Sequence, residues 1–314
     1  MLKKCIQIIT LQLVFFIGIS NILVAQLPST GVSSSGVLDG VYVQEHIPTK
    51  RVIQYPHLRE ADVMWSKRVW RTIDLRQKMN HPLYYPEEPL ADRMSLFDVI
   101  KYGVLEEGSL TIYDLTADFD DKFRFPQKPE NGNINDPKYR KLLDGFFGNM
   151  QVTERLDPAD DSPMFDPVTG DPLFDTVAVP YESRDIIRYE LKEDWFFDKQ
   201  RSVMDVRIIG ISPVIYYTNA ETGDIEGLKN LFWLYFPECR YVFQNFFVYN
   251  GGNDAMRMSF DDLFWKRQFS SYIHKESNVF DRNVNPSWDG LDALLESENI
   301  KQEMFKIEHD VWHL

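Results

Sequence analysis

The chain has 314 residues, of which 34 are Lys or Arg and 48 are Asp or Glu, giving a formal charge of −14. A surface this acidic repels a polyanion, so nucleic-acid binding, which draws its affinity from neutralising phosphates, is disfavoured. At 44% hydrophobic and 14% aromatic, the chain has the material for a substantial core, which excludes disorder as its general state.

Lys3 and Lys4 precede an apolar run from Ile6 to Val24 that breaks off at Ala25-Gln26. A charged head, an apolar middle and a small residue at the break are the marks of a secretory signal peptide over residues 1–25. A retained membrane anchor is the competing reading, because the run is nearly long enough to span a bilayer; Gln7, Thr10 and Gln12 dilute it. Cys5 lies before the run, where no lipoprotein cysteine belongs. Cleavage near Gln26 would leave 32 basic against 48 acidic side chains, a charge of −16, with Cys239 as the sole thiol. An intrachain disulfide is then impossible, and the exported protein must rely on its core.

Residues 26–58 begin with a stretch rich in Ser, Gly, Pro and Thr, read as an extended linker or docking arm. The next stretch sets Trp65 and Trp70 among Lys67, Arg68, Arg71, Arg76 and Lys78. Rings interleaved with cations suit a single-strand nucleic-acid binder, but net charge and export argue against that use. The spacing of Val63, Trp65, Val69, Trp70 and Ile73, with acids at Glu60 and Asp62 and a stop at Asn80-His81-Pro82, predicts a helix. Ser95-Leu96-Phe97-Asp98 has capping-box spacing and predicts a helix to about Glu106, ended by Gly108, with a strand over Leu110–Leu115. These elements make up an N-terminal α+β subdomain over 59–156.

Residues 157–180 form an acidic loop in which repeated Pro and Asp forbid regular structure. Clustered carboxylates can hold calcium, whereas the plain alternative is a surface loop whose aspartates hold turns. The C-terminal subdomain, 181–314, carries strand signals at Val203–Ile211 and Val214–Tyr217, a polar turn at Asn219–Asp224 and an apolar run at Leu228–Phe236. Pro237 opens a helix expected to carry Val242, Phe243, Phe246 and Phe247 and to end at Asn250-Gly251-Gly252. Met258-Ser259-Phe260-Asp261-Asp262 repeats the capping pattern and opens a helix expected to run through Leu263, Phe264, Phe269, Tyr272 and Ile273. The five-residue likeness to the earlier cap is too short to mark a duplication. A last helix carries Ile300, Met304, Ile307 and Val311 on one stripe. Helices mixed with antiparallel strands, without a βαβ rhythm, define an α+β fold of two subdomains separated by the acidic loop.

Catalytic motifs are not found. The histidines lack zinc-ligand spacing except His309 and His313 at the chain end, and Gly210-Ile211-Ser212 is spoiled as a nucleophile elbow by Pro213. Phosphate loops and dinucleotide fingerprints are absent as well, so no cofactor, metal or catalytic residue is expected. Lys192–Ser202, by contrast, again sets Trp195, Phe196 and Phe197 among charges of both signs. Trp and Arg dominate the energetics of protein interfaces, and the same pattern also suits a core with a charged rim.

Five segments in order resemble the GldN/PorN family of the gliding and type IX secretion machinery of Bacteroidetes. They are Trp70–Leu75 with Pro82–Pro86, Ser95–Val99, Trp195–Ser202 leading to Gly210–Val214, Leu231–Arg240, and Met258–Leu263 continuing to Lys275–Val279. The resemblance spans roughly residues 60 to 314. It implies a periplasmic, non-catalytic structural subunit, peripherally associated with the outer membrane. Such a subunit assembles with an outer-membrane lipoprotein of the GldK/PorK type into a ring that supports protein export. Its membrane contact is indirect, and it supplies no catalytic residues, cofactors or nucleic-acid partners. The candidate partner interface on this chain is Trp65, Trp70, Arg71, Trp195, Phe196, Phe197 and Arg201. The rival reading is a secreted or periplasmic hydrolase that uses paired carboxylates, which a deep cleft with two converging acids would favour.

Overall fold

A computed structural model describes residues 51–311 apart from 91–92, 116–122, 130–131, 155–173, 219–224, 254–255, 280–282 and 285–289. The signal segment, the arm up to residue 50, most of the acidic loop and His313 therefore fall outside the described residues.

In chain order the elements are β1 (Val63–Asp74), α1 (Leu96–Lys101), β2 (Ile112–Tyr113), β3 (Pro126–Gln127), α2 (Pro137–Phe147), β4 (Gly148–Glu154) and β5 (Phe174–Pro180). They continue with β6 (Ile186–Asp198), β7 (Val203–Thr218), β8 (Ile225–Asn230), β9 (Trp233–Tyr235), α3 (Phe236–Phe243), β10 (Phe247–Val248), β11 (Met258–Ser259), α4 (Phe260–Trp265), β12 (Tyr272–Glu276) and α5 (Gly290–Val311). Helices with antiparallel pairing confirm the α+β class. The main sheet runs β12-β1-β6-β7-β9-β2-β3, with β8 added to the far end of β7. Strands from before and after the acidic loop share this sheet: β1 lies between β6 and β12, and β2 pairs with β9. One large apolar cluster likewise joins Ile73, Phe97 and Ile112 to Leu191, Phe243 and Phe264.

The helix expected over Glu60–Lys78 is instead a single turn at Glu60–Asp62 followed by β1. In a strand, Trp65, Lys67, Val69, Arg71 and Ile73 face one side and Ser66, Arg68, Trp70 and Thr72 the other. Both sides are covered, and Val69 to Ile73 are all buried, so the polar alternation that betrays a half-buried strand is missing. The β-branched and Trp content then decides for a sheet with neighbours on both edges.

Two other helices are shorter than expected. The helix opened by Ser259 stops at Trp265; Arg267 then takes a left-handed φ of 52°, and Tyr272 and Ile273 enter β12. That opened by Pro237 stops at Phe243, and Phe247 enters β10. Its proline does occupy the first turn, where no N–H is needed. The two strand signals on either side of Ser212-Pro213 merge into β7. Pro213 falls where β7 passes from β9, at Gly210 and Ile211, to β8, which begins opposite Val214, so its missing N–H interrupts neither ladder.

Both predicted caps form. Ser95 Oγ accepts from Asp98 N at 3.1 Å, and Ser259 Oγ accepts from Asp262 N at 3.1 Å, with Asp262 Oδ2 accepting in return from Ser259 N. Each cap stabilises its helix by about 1 kcal/mol. The last helix appears where predicted, burying Ile300 and Met304. Ile273 N donates to Ser297 Oγ at 2.9 Å, tying α5 to the β12 edge.

Candidate functional site

On the helix-covered face of the sheet, β1 presents Val69, Arg71 and Ile73 in succession, and β6 presents Trp195, Glu193 and Leu191 beside them. Val69 and Trp195 belong to a small apolar cluster with Ile273, Ile300 and Met304, while Ile73 and Leu191 belong to the large one. A charged belt thus separates the two clusters. Its hub is the fully buried Glu193, whose Oε2 lies 3.0 Å from Arg71 Nε and whose Oε1 lies 2.8 Å from Arg267 Nη1. Arg267 Nη2 and Trp195 Nε1 donate to Oε2 at 3.1 and 3.0 Å. Both guanidiniums also stand over the Trp195 ring, at 5.5 and 5.4 Å from its centroid.

One carboxylate therefore serves two guanidiniums, and the alignment is imperfect. Arg71 Nε and Arg267 Nη1 are at ion-pair distance from Glu193 without hydrogen-bond geometry. Burial pulls the Arg71 guanidinium below its ordinary value, and the neighbouring Arg267 adds to that while Glu193 opposes it.

This belt floors a groove of about 690 Å³ between the sheet and α5. Met79, Met204, Phe269, Met304 and Phe305 supply apolar walls, and Glu298, Lys301 and Glu308 the rim. Phe305 is 65% exposed. Farther along the same helix Leu291, Leu294 and Leu295 are also exposed, an apolar stripe of the kind that marks an interaction surface.

Arg267 also borders a second hollow of about 210 Å³. There Tyr55 stacks on Trp265 with ring centroids 5.4 Å apart, and the Arg240 guanidinium lies 4.5 Å from the Tyr55 ring and 4.9 Å from Trp265. Arg240 is held by Asp261 through bonds of 2.7 and 3.2 Å, and Arg207 donates to the Pro56 carbonyl. The segment before β1 is thereby pinned to the body, and burial raises the Tyr55 phenol above its ordinary value.

The candidate interface residues divide between inside and outside. Trp70 is buried on the other sheet face, with Lys192 and Lys275, its cross-strand neighbours, placed over its ring at 5.8 and 4.6 Å. Phe196 and Phe197 are buried, and Arg71 is only 6% exposed. Arg201 is partly exposed and braces the β6–β7 turn through Asp198 and Asp205, at 2.6 and 2.8 Å. Trp65 and Trp195 are half-buried around the small cluster. Arg71 and Trp195 do meet at the groove; Trp70 and Arg201 do not line it.

Glu193, Arg267 and Phe305 were missed by sequence reasoning. Glu193 was two residues from Trp195, on the same strand face, so period-two spacing was the signal that could have found it. Nothing local marks Arg267, whose place depends on the left-handed turn after α4.

The family model for gliding motility associated protein GldN matches residues 58–313, and the chain belongs to that family, a component of the gliding motility and type IX secretion machinery. Comparison with curated proteins finds no match. Among the described residues no helix is long and apolar enough to cross a membrane.

Proposed function

We propose that the protein is a non-catalytic, periplasmic structural subunit that assembles with copies of itself and with an outer-membrane lipoprotein of the GldK type into a ring supporting protein export. The observation that carries this reading is the family match across the folded body. The groove supports it: its buried carboxylate is engaged by two guanidiniums and an indole, which leaves it no freedom to act as an acid or base. Exposed Phe305, Leu291, Leu294 and Leu295 offer apolar area of the sort a stable contact buries.

A ring of identical subunits needs two different complementary patches and a rotation that closes. Crowding exported chains that each carry −16, 32 basic against 48 acidic side chains once Lys3 and Lys4 are removed, is unfavourable unless opposite charge intervenes. A basic face on the lipoprotein would supply it.

The test is co-purification with the lipoprotein after mild detergent extraction, repeated with Trp195→Ala and Arg201→Glu and over a series of salt concentrations. The reading expects one complex, weakened by at least one variant and by salt. Recovery of the protein alone, with the lipoprotein present in the extract, would contradict it.

A further inference from the structure

We propose that α5 packs antiparallel against the α5 of a second copy of this chain, about a two-fold axis at the level of residue 300. The inference rests on the self-association part of the reading above but needs neither the lipoprotein nor the ring, because a two-fold contact closes on itself.

Helix α5 buries one stripe and exposes another. Ala293, Ile300 and Met304 pack in the small cluster and Ser297 Oγ accepts from Ile273 N, so that face is used by the chain's own sheet. On the opposite side lie Leu291, Leu295, Glu298, Gln302, Phe305 and His309, all exposed. Their spacing alternates between four and three residues, the 3.5-residue period of a helix that packs along another helix. Leu291 and Phe305 are 70% and 65% exposed, which a helix with no partner on that side would not favour.

Reversed, the stripe complements itself. With the axis at residue 300, Leu291 faces His309 of the second copy, Leu295 faces its Phe305, and Glu298 faces its Gln302, each layer occurring twice. Large apolar side chains then meet on both sides of a polar centre in which an amide donates to a carboxylate. On one flank the same register sets Asp292 beside Lys306 of the second copy, again twice, and Asn299 beside its counterpart. On the other flank Lys301 meets its counterpart, its charge offset by Glu298 of its own chain at 3.4 Å. A parallel pair would stack Glu298 on Glu298 and set Lys301 beside Lys306, so charge selects the antiparallel arrangement.

The same charges favour a second copy as the cover. Acidic chains repel one another, and the two Asp292–Lys306 pairs offset that repulsion where the copies touch. The stripe points away from the sheet, which leaves the two folded bodies outside the helix pair. Its 22 residues make a contact about 33 Å long. That is small for a permanent interface, so the dimer should depend on concentration.

The test follows the exported chain by itself in sedimentation experiments over a range of concentrations, where a monomer–dimer equilibrium is expected. Asp292→Lys and Lys306→Asp, both at exposed positions, should each weaken it about tenfold or more by setting like charges opposite one another. An equimolar mixture of the two variants should dimerise again, because each then supplies the charge the other lacks. Damage to the fold of either variant would not be rescued by mixing. As a second reading, Asn299→Cys should form an intermolecular disulfide with oxidised glutathione while Glu303→Cys, off the stripe, should not; Cys239 is buried and stays out of the exchange. Monomers at every concentration, a dimer indifferent to both variants, or no rescue on mixing would overturn the α5 pairing. The lipoprotein complex is read separately, by co-purification, and its failure would leave the dimer standing.

Discussion

Arg71 on β1 and Glu193 on β6 form a diagonal pair across the two strands, Nε to Oε2 3.0 Å, in a position where the next residue on either side of each strand face is apolar. The pair is buried and shared with the partly exposed Arg267, so removing the Glu193 charge leaves the Arg71 guanidinium uncompensated away from water, while Arg267 keeps some access to it. Glu193→Gln should destabilise the fold by about 3–5 kcal/mol, the usual cost of breaking a buried ion pair from one side. Urea unfolding followed by tryptophan fluorescence reads this. A loss under 1 kcal/mol would mean that water reaches the belt.

Trp70 sits between Lys192 and Lys275, each directly opposite it on a neighbouring strand. Lys275→Met removes one cation from the ring face while keeping most of the apolar stem. The expected cost is about 0.5–1 kcal/mol, against about 3–5 kcal/mol for Trp70→Ala. Both values come from the same unfolding measurement.

His274 lies at the bulge in β12, its Nδ1 2.9 Å from Thr72 Oγ1. Burial lowers its imidazole below the ordinary value of 6.5; Arg188 and Lys275 add to this and Glu190 opposes it. The folded state therefore binds that proton less readily than the unfolded chain. The contribution to stability is complete above the unfolded value and declines as pH falls below it toward the lowered folded value. His274→Gln should flatten this part of the pH dependence, measured as unfolding free energy between pH 7.5 and pH 5, both bounds being about one unit or more from 6.5. An unchanged slope would assign the effect to carboxylates.

Cys239 is fully buried on α3, and burial raises its thiol far above the ordinary value. Only thiolate reacts, so a thiol reagent at neutral pH should label the folded protein no faster than it unfolds. Labelling at the rate of a free thiol would contradict the burial.

Tyr55 holds the segment before β1 against Trp265 and Arg240. Trp265→Ala should release it and speed tryptic cleavage at Arg51 and Arg59 while the body stays resistant. Equal rates in both proteins would show that the backbone contact at Pro56 suffices.

Legibility in the sequence followed the range of the interactions. The caps at Ser95 and Ser259 and the proline at position 237 act within one helical turn, and all three were read correctly. So was the α5 stripe of Ile300 and Met304, because one face of that helix is solvated and the period shows. Strand β1 was misread because both its faces are covered and its charges are neutralised by partners more than a hundred residues away, such as Asp194 for Arg68. The groove shared this fate: Arg71 and Trp195 were visible as residue types, but the carboxylate linking them and the Arg267 that completes the belt come together only through sheet register.

Self-assembly with the lipoprotein is read most simply from the mass of the particle. The exported chain is mixed with the GldK-type lipoprotein in mild detergent, and the complex is measured by mass photometry or light scattering. Assembly predicts a closed particle many times the mass of one exported chain, containing both proteins in a fixed ratio. A single chain alone, at every concentration of the lipoprotein, would contradict it.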